Sequence, residues 1–254
     1  MTIKKAAAIG FGGVVLVLLF LIFLAGGADY PDADTRDVDR EQLFRITEQL
    51  LKEAENWPAQ LTADSVVVSS SLDPYPVRAV MYSVEVDASL EKVIEYVKAE
   101  NYSGPGRTDR PELDKYEVVL YQNDDAGSPT EWVRRSVHIA PPPGGNRDAV
   151  VLYLEDRPDP RTYRIAFQSV ETIDGKDFPL VEDAVRFKVL PSMYKVEETS
   201  PGKIRVTKVE AVDPRGSMSN LMNNYFISLV FFRSFMFEQA QALRETLMAV
   251  EVQG

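Results

Sequence analysis

The chain has 254 residues, a formal net charge of −11 and no cysteine. The lack of cysteine excludes disulfides, zinc–thiolate sites, iron–sulfur clusters and thiol catalysis. The acidic balance argues against nucleic acid as a partner, because phosphate recognition needs a basic surface, and against broad adhesion to anionic lipid.

The chain opens with an uninterrupted apolar run over residues 6–28, preceded by Lys4 and Lys5. A run of about 20 apolar residues can span a bilayer as a helix, and the lysines would then stay in the cytoplasm. The alternative is a cleaved signal peptide, for which Gly26 and Ala28 are small enough to form the cleavage site. Either way, the domain is expected on the non-cytoplasmic side, membrane-anchored as in a bacterial envelope or periplasm, or exported.

An acidic, proline-containing tether is predicted for residues 29–39, and a single folded domain for residues 40–254. The domain begins with an amphipathic helix over Arg40–Trp57, which Pro58 stops.

Strand-like segments with turn residues between them make up most of this domain. Two of them precede a second helix, Leu90–Glu100, for which Ser89 is the predicted N-cap. The later segments follow one another without helices, which predicts an antiparallel meander, because parallel crossovers need helices between strands. The predicted strands are Ser65–Ser70, Arg78–Val86, Tyr116–Gln122, Glu131–Ile139, Asp148–Glu155, Thr162–Ser169, Asp183–Val189, Met193–Glu198 and Ile204–Val212.

A long amphipathic helix, Ser217–Val250, closes the domain, and its segment from Tyr225 to Phe237 is dense in aromatic residues. Two interpretations stay open: a buried core helix, or a helix that roofs a cavity with an adaptable wall of Met and Phe. A second membrane span is disfavoured by Arg233, because charge at mid-bilayer is costly. Residues expected on the cavity wall are Met222, Tyr225, Phe226, Leu229, Phe232 and Met236.

This order of elements predicts an α+β protein in which a curved antiparallel sheet wraps the long C-terminal helix and leaves a cavity between them. Three strings resemble the START family (steroidogenic acute regulatory protein-related lipid transfer). Residues 145–150 resemble its Arg-Asp-Phe/Tyr-Val signature, residues 213–216 its Asp-x-x-Gly turn, and residues 220–225 its entry into the C-terminal helix. The resemblance runs from Glu41 to Val250 and implies a helix-grip fold with a tunnel for one lipid or sterol.

Five polar residues are candidates for contact with such a ligand. Arg147 and Asp148 form either a cavity pair that orients a head group or a structural pair at a strand end. Arg134 and Arg135 alternate along one strand, so one of them should point inward or to an edge, unless that strand face is solvated. An inward arginine would suit a phosphate or carboxylate. His138, the single histidine, has no triad spacing and is interpreted as a structural or ligand-hydrogen-bonding residue.

The expected function is therefore binding of a lipid or sterol in an internal hydrophobic cavity, for transfer or sensing at the cell envelope. The protein is expected to be a monomer that contacts the membrane through its N-terminal helix, with no catalytic residue, metal or cofactor. Two alternatives remain open. One is a helix-grip enzyme, a cyclase or hydrolase, with acid–base groups drawn from His138, Asp148 or a buried tyrosine. The other is an envelope interaction domain whose cavity is filled by side chains.

Overall fold

The computed structural model describes the folded domain, with gaps. The described residues are 38–63, 66–71, 77–102, 114–123, 131–138, 146–173, 175–180, 182, 184–213, 215 and 236–247. The predicted anchor or signal peptide and most of the predicted tether lie outside these ranges. No helix within them is long and apolar enough to cross a membrane.

Three helices and thirteen strands occur in this part of the chain. The helices are α1 (Arg40–Ala54), α2 (Leu90–Tyr102) and α3 (residues 236–247). The strands are β1 (Ala59–Ala63), β2 (Val66–Ser71), β3 (Ala79–Asp87), β4 (Asp114–Asn123), β5 (Glu131–His138), β6 (Asn146–Asp159), β7 (Thr162–Ser169), β8 (Thr172–Ile173), β9 (Lys176–Asp177), β10 (Ala184–Arg186), β11 (Lys188–Val189), β12 (Ser192–Ser200) and β13 (Lys203–Asp213).

Helix α1 begins where the sequence predicts and ends three residues earlier. The Asp39 side chain accepts a hydrogen bond from the Gln42 backbone N–H at 3.0 Å, which satisfies one of the free donors at the helix start. After Ala54 the backbone tightens, with the N–H of Trp57 bonded to the carbonyl of Ala54. Pro58 explains this early end, because proline disfavours the helical conformation of the residue before it.

Most strands form one sheet in the order β1-β2-β3-β13-β12-β7-β6-β5-β4, and the pairs along this order are antiparallel. The prediction that the later strands form an antiparallel meander was wrong in one place. Strand β10 pairs with the start of β6 in parallel. Strand β7 and the β8–β9 hairpin lie between β6 and β10 in the chain, and the described residues of this connection contain no helix. The predicted strand Asp183–Val189 is divided between β10 and β11, and β11 pairs with β13.

The hairpin between β12 and β13 confirms a predicted turn. Ser200 pairs with Lys203, so Pro201 and Gly202 form a two-residue loop. Gly202 has a φ of +76°, a left-handed conformation that glycine adopts without steric cost.

The two faces of the sheet are covered by different helices. We call them the α3 face, which packs against α2 and α3, and the α1 face, which packs against α1. Successive residues of a strand point to opposite faces, and β6 shows both sets. Its α3-face core residues are Ala149, Val151 and Tyr153, whereas its α1-face core residues are Val150, Leu152 and Leu154.

Candidate functional site

A row of four buried aromatic side chains crosses the α3 face. Trp132, Tyr153, Phe167 and Tyr194 come from β5, β6, β7 and β12, which are neighbours in the sheet. Ring centroids lie 5.3 Å apart for Trp132 and Tyr153, 5.5 Å for Tyr153 and Phe167, and 5.8 Å for Phe167 and Tyr194. Cross-strand register produces this row, because Tyr153 pairs with both Trp132 and Phe167. The wall opposite the C-terminal helix is therefore broad, apolar and aromatic.

Cations lie against two of these rings. The guanidinium carbon of Arg134 is 5.7 Å from the centroid of Tyr153, and Lys208 Nζ is 5.0 Å from that of Tyr194. Both distances are in the cation–π range. Arg134 is thus the arginine of the predicted alternating pair that lies on the α3 face, and Arg135 is on the α1 face.

Asp148 lies on the α1 face and has two arginine partners there. It is fully buried, its Oδ2 lies 2.7 Å from Arg186 Nη2, and its Oδ1 lies 3.4 Å from Arg135 Nε. Strand alternation places Arg147, the next residue, on the opposite side of β6. The structure therefore separates the predicted Arg147–Asp148 pair between the two faces and gives Asp148 a structural ion-pair network.

Arg147 is half-buried at the start of β6. Its guanidinium donates a hydrogen bond to the Asn146 carbonyl at 3.3 Å, and burial lowers its pKa because desolvation disfavours the charged form. His138 is opposite Arg147 in the backbone register of β5 and β6. Its side chain lies outside the described part of the structure, so its predicted role stays a prediction.

The described part of the C-terminal helix packs on the α3 face through an apolar stripe. Met236 is 1% exposed and is followed on the same side by Ala240, Leu243 and Leu247. This 3–4 spacing is the one predicted from sequence. The other predicted wall residues of this helix, Met222, Tyr225, Phe226, Leu229 and Phe232, lie outside the described residues. The predicted cavity beneath them is therefore a proposal, taken up below.

One buried polar group on the α3 face was missed by the sequence reading. Glu155 accepts a hydrogen bond from the Tyr163 hydroxyl and lies 2.8 Å from Lys98 Nζ of α2. Burial is the main cause that raises the pKa of Tyr163, and the Glu155 carboxylate raises it further. The sequence does show an acidic residue, Glu155, at the end of the apolar run of β6. Its partner Lys98 on α2 is distant in the sequence and is identified only by the structure.

Helix α1 is held on the α1 face by charge as well as by apolar packing. Arg40 makes a bidentate contact with the buried carboxylate of Glu131, and Arg164 contacts both Glu48 and Asp156. A surface pocket of about 410 Å³ also opens on this side and is distinct from the predicted cavity. It is lined by Glu171, Thr172, Asp177, Phe178, Pro179, Leu180 and Arg186.

The described residues contain no group of three or more His, Asp or Glu side chains that could hold a metal ion. What they show is a curled mixed sheet whose one face carries an N-terminal helix and whose other face is packed by a C-terminal helix. This is the START-like helix-grip fold, so the predicted resemblance and the α+β class are confirmed.

Solved structures of this fold are similar to nearly the whole domain. Human StAR-related lipid transfer protein 5 matches with a TM-score of 0.65 and 19% identity, over 83% of this chain and 97% of that chain. Human STARD10 matches with a TM-score of 0.59 and 17% identity, over 87% and 82%. A STAR-related lipid transfer protein from Xanthomonas axonopodis matches with a TM-score of 0.55 and 19% identity, over 76% and 98%. Neither a protein-family model nor a curated protein matches the sequence. At sequence identities of 17–19%, the structural similarity to these proteins establishes the fold.

Proposed function

We propose that this protein binds one lipid or sterol between the α3 face and its C-terminal helix, and that it transfers or senses this ligand at the cell envelope. The proposal is supported by the fold, because two of the three similar solved structures are lipid transfer proteins by name.

The observation that carries the proposal is the composition of the α3 face. Its aromatic row and aliphatic residues form an apolar wall, and Arg134 and Lys208 lie against that wall. A buried cation carries a desolvation cost that an anionic partner offsets, so these two cations could also contact an anionic part of a ligand. Ligand sites in proteins combine an apolar lining with a few polar groups that orient the ligand.

The driving force would be burial of the ligand's apolar surface, at about 25 cal/mol per Å². The residues that precede α3 in the sequence are dense in Phe and Met. In the predicted C-terminal helix they would form the other wall of the cavity. Movement of that helix or of a neighbouring loop would admit the ligand.

Envelope location is the part of this proposal that depends on sequence alone. If the apolar run at residues 6–28 stays uncleaved, it would anchor the domain near its own membrane. If it is a cleaved signal peptide, it would hold the domain there only until export. A short tether favours local extraction or presentation of lipid over free diffusion. Comparing lipid transfer in vivo by the full chain and by a chain without residues 1–28 tests this, and equal activity would contradict a role for tethering.

Native mass spectrometry of the purified full chain, followed by lipid extraction, tests binding itself. We expect bound lipid or sterol and uptake of added ligand from vesicles. Protein of unliganded mass that takes up neither lipid nor sterol would contradict the proposal and would favour a side-chain-filled interaction domain. Turnover of the ligand that is lost in His138→Ala would instead support the enzyme alternative.

A further inference from the structure

A second cluster of polar side chains lies on the α3 face, on the neighbouring elements β2, β3 and β13. Lys208 Nζ is 2.7 Å from a Glu210 carboxylate oxygen, both residues being on β13. Arg78, just before β3, donates a hydrogen bond to the Ser70 hydroxyl of β2 at 3.4 Å. Glu210 pairs in register with Val80, two residues from Arg78. These four side chains, which we call the Lys208 group, therefore share one side of three adjacent strands.

Both cations of the Lys208 group, Lys208 and Arg78, are buried. Lys208 is 6% exposed and Arg78 is 8% exposed. The nearest residues on the same side of these strands, Val206 beside Lys208 and Val80 beside Arg78, are core valines of the α3 face. The two cations therefore interrupt an apolar surface, and their desolvation cost is reduced when an anionic group lies beside them.

The Lys208 group also continues the aromatic row. Lys208 lies over the ring of Tyr194, the last ring of the row, and pairs in register with Tyr82. An amphiphile lying along the row would bring its polar end to Lys208, with its apolar body against Phe167 and Tyr153.

We propose that the ligand carries an acidic head group, a carboxylate or a phosphate, and that Lys208 and Arg78 bind this oxyanion within the cavity. This inference rests on the proposed lipid-binding function and adds the chemical class of the ligand. An ammonium and a guanidinium together offer many N–H donors, and charge-assisted hydrogen bonds to an oxyanion are about twice as strong as neutral ones. Glu210 holds Lys208 in place and is the partially exposed member of the group.

The first test varies the ligand and leaves the protein unchanged. Dissociation constants of the purified full chain are measured for palmitic acid, hexadecyl phosphate and methyl palmitate. Inorganic phosphate alone is the fourth probe. We expect one of the two acids to bind at least about tenfold more tightly than the ester, which is the gain from one charge-assisted interaction. The acid that binds more tightly identifies the head group, and inorganic phosphate should bind weakly because it has no apolar body.

The second test varies the protein. Lys208→Gln and Arg78→Gln should each weaken acid binding about tenfold and change ester binding by less than about twofold. Lys208→Arg keeps the charge and should retain acid binding. The matched control is Arg205→Gln, on the same strand but at an exposed position, paired with Glu85. It should leave both affinities unchanged.

Equal affinity for acid and ester would overturn this inference while leaving lipid binding intact. So would unchanged acid binding in folded Lys208→Gln and Arg78→Gln. If none of the three amphiphiles and no sterol binds, both this inference and the proposed function fail. Should both glutamine variants fail to fold, the comparison of acid with ester on the unaltered chain still decides the question.

Discussion

The Tyr163 hydroxyl donates a hydrogen bond to the Glu155 carboxylate inside the α3 face, on neighbouring strands β7 and β6. The other oxygen of Glu155 lies 2.8 Å from Lys98 of α2. One buried carboxylate thus joins the sheet to the helix beside the proposed ligand cavity. Because both of its oxygens are used, losing the charge should affect helix and sheet together.

Glu155→Gln should lower the free energy of unfolding by about 2–4 kcal/mol. It removes the charge that pairs with Lys98, and it leaves one acceptor oxygen for two donors, with an amide N–H2 facing the other donor. Urea unfolding followed by circular dichroism measures this. Glu91→Gln is the control, since Glu91 pairs with Arg157 at an exposed position and should leave stability close to that of the unaltered chain. Equal effects of the two substitutions would show that burial of Glu155 contributes nothing.

Alkaline pH should destabilise the domain through Tyr163. Its pKa is raised in the folded state, so between the unfolded value near 10.0 and the higher folded value the native state holds a proton that the unfolded state releases. The contribution of Tyr163 to stability is therefore constant below about pH 10 and falls above it, by up to about 1.4 kcal/mol per pH unit. Urea titrations at pH 9 and pH 11 should show a smaller loss for Tyr163→Phe than for the unaltered chain. A loss of the same size in both would assign the effect to other groups.

Much of the fold could be predicted because its elements carry local patterns. The strand Thr162–Ser169 was predicted with the observed bounds, and the Pro201-Gly202 turn is fixed by its own residues. Strand β1 was missed, since Ala59–Ala63 is short, partly exposed and without a clear apolar alternation. The parallel pairing of β10 with β6 was missed for another reason, because it depends on how a long connection returns and not on any local pattern.

The candidate site was predictable only in part. Alternation predicted that one of Arg134 and Arg135 would point inward or to an edge unless that strand face is solvated. The structure places Arg134 over the Tyr153 ring on the α3 face, and its contact with a ligand stays a prediction. The sequence reading did not select Lys208 or Arg78, because a lysine or arginine on a strand is usually solvated and only the register shows what it faces. Adjacency in the sequence suggested a pair between Arg147 and Asp148, whereas Asp148 pairs with Arg135 and with Arg186, which is 38 residues away.

Asp148→Asn should be among the most destabilising single substitutions, at about 3–5 kcal/mol, because it leaves Arg135 and Arg186 at a buried site without the carboxylate between them. Thermal unfolding measures the loss. Ligand affinity of the folded fraction should stay unchanged, since Asp148 is on the α1 face. A loss of ligand binding at unchanged stability would contradict this prediction and would support a role for Asp148 in ligand binding.

The contribution of α1 packing on the α1 face to the free energy of unfolding should be measurable with two substitutions in this helix. Leu50→Ala removes a side chain that is 2% exposed and packs in the α1-face core, and it should cost about 2–5 kcal/mol of unfolding free energy through lost burial and a residual cavity. Ile46→Ala on the same helix removes a side chain that is 36% exposed and should cost less than about 1 kcal/mol. Denaturant unfolding of both variants makes the comparison. If Leu50→Ala were as mild as Ile46→Ala, α1 would not be an integral part of the folded domain, and the ion pairs of Arg40 and Arg164 alone would hold it to the sheet.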